Sequence, residues 1–105
     1  MHLIVTEVQR PNESIVRQFD TTALGGSPTS PAHDCKLVAS SSSTDASDKL
    51  SESASVDGNN VVSGALSSLV DGSTYHQIIR FTIDGNVLEY YWKIICDDER
   101  PDDAS

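Results

Sequence analysis

The chain has 105 residues, with 7 Lys and Arg against 16 Asp and Glu, a formal charge of −9. That length holds one domain and leaves no room for a second. An acidic balance with no basic cluster lacks the phosphate attraction that supplies most nucleic-acid affinity, and no apolar run approaches the ~18 residues that span a bilayer, so DNA, RNA and membrane partners are excluded. The chain start, Met1-His2-Leu3-Ile4-Val5-Thr6-Glu7, has neither the basic nor the apolar region of a secretion signal. Hydrophobic residues make up 37%, below the ~45% usual for a globular domain when Gly is counted, but they gather in a few runs that can build one thin core.

Alternation of apolar and polar residues dominates, which predicts an all-β chain. In chain order, residues 3–8 form a first strand and residues 14–20 a second, with Ile15 and either Phe19 or Val16 turned inward. Residues 21–32, holding Gly25-Gly26, Pro28 and Pro31, read as a connection that crosses between sheets. Residues 35–40 place Cys35, Leu37 and Ala39 on one face, whereas residues 40–51 are Ser-rich and too polar for a core, a loop or at best a weak edge strand. A short strand at 53–56 runs through the turn Asp57-Gly58-Asn59-Asn60 into a strand at 60–66, with Val62, Gly64 and Leu66 on one face. Residues 67–73 form a loop.

The last two strands are the clearest. From Thr74 to Ile83, Tyr75, Ile79, Phe81 and Ile83 share one face and His76, Arg80 and Thr82 the other. Asp84-Gly85-Asn86 supplies the positive φ angles of a tight turn. The chain then resumes over residues 87–96 with Leu88, Tyr90, Trp92 and Ile94 against Glu89, Tyr91 and Lys93. About seven strands of this length suit a small β-sandwich. Residues 97–105, rich in Asp and Glu, favour solvation and read as a tail.

The candidates for chemistry are few. His2, His33 and His76 lack metal-ligand spacing, and Asp34 and Cys35 beside His33 alternate faces. No serine stands in a Gly-x-Ser-x-Gly elbow, Gly25-Gly26 is followed by Ser-Pro and not by Lys and a helix, and the acids at 97 and 98 sit in a solvated run. The sequence therefore predicts no catalytic residue, metal or cofactor. Asn12-Glu13-Ser14 matches the glycosylation sequon but is silent without secretion. Two cysteines, Cys35 and Cys96, in a chain without a signal segment are more often reduced and buried. Alternation assigns Tyr75, Phe81, Tyr90 and Trp92 to the core and leaves Tyr91 outward, an aromatic that can anchor an interface or stack a sugar.

Three pieces resemble the small immunoglobulin-like accessory virion proteins of tailed bacteriophages. They are Arg10-Pro11-Asn12-Glu13-Ser14-Ile15-Val16-Arg17-Gln18-Phe19-Asp20, the loop Leu66-Ser67-Ser68 through Gly72-Ser73-Thr74-Tyr75, and Phe81-Thr82-Ile83-Asp84-Gly85-Asn86-Val87-Leu88-Glu89. The serine run at Ser40 to Ser43, the acidic tail and the N-terminal arm depart from the pattern. The resemblance implies an immunoglobulin-like β-sandwich over residues 10–96, flanked by an arm or edge strand at 1–9 and the tail. The implied function is that of a non-enzymatic virion protein, assembled in the host cytoplasm. It would act as a capsid cement or decoration protein that binds the major capsid protein; the alternatives are a neck or tail accessory protein, or a carbohydrate-binding module. It carries no catalytic residues, and the spacing of Cys35 and Cys96 still permits an immunoglobulin-type bridge. The expected contacts are Leu3, Ile4 and Val5 in the first strand, pairing by its edge, together with Tyr91. Homo-oligomerisation is left open.

Overall fold

A computed structural model describes residues 2–38 and 43–97 of the chain. Eight strands run in order: β1 (His2–Gln9), β2 (Gln18–Asp20), β3 (Thr29–Val38), β4 (Ser43–Asp45), β5 (Ser55–Asp57), β6 (Asn60–Val62), β7 (Thr74–Ile83) and β8 (Asn86–Cys96). They form a five-stranded sheet, β1-β8-β7-β3-β4, and a three-stranded sheet, β2-β6-β5. The fold is an all-β sandwich. Every pairing is antiparallel except the first, in which β1 lies parallel to β8 at the end of the large sheet.

The β7–β8 hairpin organises the molecule. Ile83 pairs with Asn86 across a two-residue turn in which Asp84 and Gly85 have φ of 51° and 79°. Positive φ at both residues is the type I′ turn, whose twist matches that of the strands it joins. From it, Tyr75, Ile79, Phe81 and Ile83 of β7 and Trp92, Ile94 and Cys96 of β8 turn into the core, where each is at most 5% exposed. Opposite them the small sheet supplies Val61 of β6 and Phe19 of β2, and the Phe19 ring stacks on Tyr90 at 4.8 Å. Burial of side chains of this size is worth ~1.5–3 kcal/mol each and drives the two sheets together.

Several expectations change in detail. Residues 29–32 belong to β3 and not to the connection, because the strand continues past Pro31 through a register shift between Thr29 and Ala32. The second strand is short. Ile15 makes only an isolated bridge to Leu66, and the inward set is Ile15, Arg17 and Phe19, with Val16 turned out and 56% exposed. On β6 the buried residue is Val61, not Val62. The alternation there breaks beyond Val62, where the backbone of Gly64 comes so close to the Ser51 carbonyl that a Cβ would lie 1.9 Å from its oxygen. Ser43–Asp45 is a strand at the far end of the large sheet. Ala39, the serines at 40–42 and the acidic run from 98 onward lie outside the described residues.

Cys35 and Cys96 both point into the core but do not bridge. They sit on β3 and β8, which β7 separates. Two strand spacings are ~9.6 Å, beyond the ~7 Å over which two Cα atoms can be bridged. Burial, followed by the charges of Asp34, Asp48 and Asp45, pushes the Cys35 thiol up to about 12, so it is an inert apolar filler.

Candidate interaction surface

The first strand is held in place by polar groups between the sheets. Arg17, 5% exposed, donates from Nε to Glu7 Oε1 at 2.7 Å, and from Nη1 to Gln9 Oε1 at 2.9 Å and Gln77 Oε1 at 3.1 Å. Gln9 Nε2 donates to the Leu66 carbonyl at 2.6 Å, and Gln77 Nε2 to Ser63 Oγ at 2.9 Å. Among the described residues only the Nη2 of Arg17 is left without a partner in this network. One guanidinium thus ties β1 to β7, Gln77 carries the link on to Ser63 just past β6, and the inward Glu7 and Gln9 fix which side of β1 faces outward.

The same region holds His33. The Gly64 N–H donates to its Nδ1 at 3.0 Å, so that nitrogen carries no proton. Burial lowers its pKa, against the charge of Asp34. Ser63 Oγ lies 3.5 Å from the same nitrogen, which is already occupied by Gly64 and is a poor base for the hydroxyl. Among the described residues no cavity opens, and no three His, Cys, Asp or Glu side chains gather.

The outward face of the large sheet is different in character. Reading across it, Leu3 of β1 pairs with Tyr91 of β8, which pairs with Ile78 of β7. Ile78 is 6% exposed yet stands apart from the core cluster, covered on the outside by its neighbours. The adjacent row is Thr6, Lys93, His76 and Lys36, and the His76 ring leans on Tyr91 with centroids 4.4 Å apart. On the other side Arg80 donates through Nε to Glu89 Oε2 at 2.9 Å. Leu3, Val5 and Val8 on β1 and Val87 on β8 are exposed.

Of the residues expected to touch a partner, Leu3 and Tyr91 are brought side by side and Val5 stands next to them on the sheet end. Ile4 is not part of that surface. Alternation from outward Leu3 turns it inward, where it packs against the core. Glu89 and Lys93 were legible as outward-facing on the same alternation as Tyr91, but as isolated positions they gave no signal of a shared surface. Compared with protein-family models, with characterised proteins and with solved structures, the chain gives no match.

Proposed function

We propose that the chain is a non-enzymatic structural protein of a tailed-bacteriophage virion, an immunoglobulin-like sandwich that decorates the capsid by binding the major capsid protein. The topology supports the immunoglobulin-like part of this reading. The order β2-β6-β5 opposite β3-β7-β8 is that of strands B-E-D opposite C-F-G in such domains. Near the start of β7 the hydroxyl of Tyr75 accepts from the Val70 N–H at 3.0 Å, the placement of the tyrosine that pins the corner before strand F. Two residues on, where antibody domains carry a cysteine, Gln77 accepts from Arg17, so a polar link joins the sheets in place of a disulfide.

The observation that carries the attachment role is the end of the large sheet. β1 offers an eight-residue strand with Leu3 and Val5 exposed at 48% and 44%, whereas each strand of the small sheet, and β4, has only three residues. A long apolar edge without Lys or Pro is a template for pairing with another chain. The chain would then be assembled onto the virion in the host cytoplasm. Mixing the purified chain with separated capsids and tails, followed by gradient sedimentation, tests the reading. Co-sedimentation with capsids, reduced by Val5→Lys, is expected. Co-sedimentation with tails alone moves the assignment to a neck or tail accessory protein, and sedimentation with neither overturns the virion role.

A further inference from the structure

We propose that the outward side of β8 is a two-fold docking face for a second copy of this chain. The alternation of β8 puts Val87, Glu89, Tyr91, Lys93 and Ile95 on that side, the parity opposite to buried Trp92, Ile94 and Cys96. About Tyr91 the five read as a chemical palindrome, with an apolar residue four positions away in each direction and charges of opposite sign two positions away. Two-fold contacts demand such self-complementarity, because each residue must suit its symmetry-related partner.

Two sheets packed face to face stand ~10 Å apart. With β8 antiparallel over its copy and the axis through Tyr91, Tyr91 meets Tyr91, Glu89 meets Lys93 twice, and Val87 meets Ile95 twice. Each group is ready for this role. Val87 is 67% exposed, the highest value among the exposed large hydrophobic residues described. Lys93 is exposed and has no acidic partner among the described residues. Glu89 is held by Arg80 through Oε2 alone, which leaves Oε1 for an ammonium across the interface. Leu3, 48% exposed, flanks Tyr91 in its own row and extends the apolar centre onto β1.

Charge selects a second copy as the occupant. Two molecules of net charge −9 repel at long range, but this strip carries one acid and one base, arranged so that each meets its opposite. Asp34, two strands from Tyr91 in the same row, has Lys36 Nζ 4.0 Å from its Oδ2, which offsets its charge where it nears its own copy.

Sedimentation equilibrium of the full chain at micromolar concentration tests the dimer. The wild type is expected to be dimeric, and Tyr91→Glu, which puts two carboxylates on the axis, monomeric. Lys93→Glu and Glu89→Lys should each weaken association about tenfold, and the double exchange should restore it. A monomeric wild type overturns the proposal, as does a double exchange no better than either single change. A dimer that survives Tyr91→Glu but is lost in Val5→Lys places the second copy on the β1 edge and also overturns it. Association is read on the purified protein and attachment on particles, so failure of either leaves the other testable.

Discussion

Gly85 and Gly64 need to be glycine for different reasons. Gly85 has φ of 79° with open space around a would-be Cβ, so only its backbone angle resists substitution. Gly85→Val should lower stability by ~1 kcal/mol or more, seen as a lower urea midpoint with unchanged slope. Gly64 has an ordinary φ but no room, with the Ser51 carbonyl and the His33 ring both in the way. Gly64→Ala should therefore cost more than Gly85→Ala, since backbone must move; equal costs would contradict the close approach. His33 gives a pH dependence of definite sign. Its folded pKa is lowered by burial, as is that of His76 by burial and by Lys93. The unfolded chain thus binds protons first, and stability falls as the pH drops below the ordinary imidazole value of about 6.5 toward the folded values. Replacing both histidines with Gln should flatten that part of the stability profile.

Among the elements, β1 depends on Arg17. Arg17→Met removes the donor for Glu7, Gln9 and Gln77 at once and should cost ~3 kcal/mol, because it leaves the buried Gln9 and Gln77 oxygens unpaired. A variant as stable as the parent would show that the network is not what holds β1. For the same reason removal of residues 1–8 would disturb the fold as well as the edge, and single substitutions at Val5 are the cleaner probe. The β7–β8 hairpin was legible in the sequence because two long alternating runs meet at Asp-Gly, so pattern and turn chemistry agree. β6 was misread by one residue because a three-residue strand is too short for alternation to survive the break at Gly64. Arg17 lies between Ile15 and Phe19 on the inward side by parity, but hydrophobic alternation does not encode a buried charge. The pairing of Leu3 with Tyr91 could not be read at all. It joins the first strand to the last in parallel, a contact that local pattern does not encode.

For the whole molecule, the sandwich follows from one continuous core, and the two cysteines contribute to it as apolar side chains. Alkylation of the denatured, unreduced chain should add two groups by intact mass; no addition would require a bridge that the separation of β3 and β8 forbids. The buried interior and the outward surfaces divide the work: the polar network and core hold the shape, the β1 edge is the proposed site of attachment, and the β8 face the proposed site of self-association. Gradient sedimentation of the full chain with purified capsids and tails, beside its Val5→Lys variant, tests the central proposal most directly. Retention of the wild type on capsids and its loss in the variant is the predicted result, and a wild type that stays at the top of the gradient with both particles would contradict it.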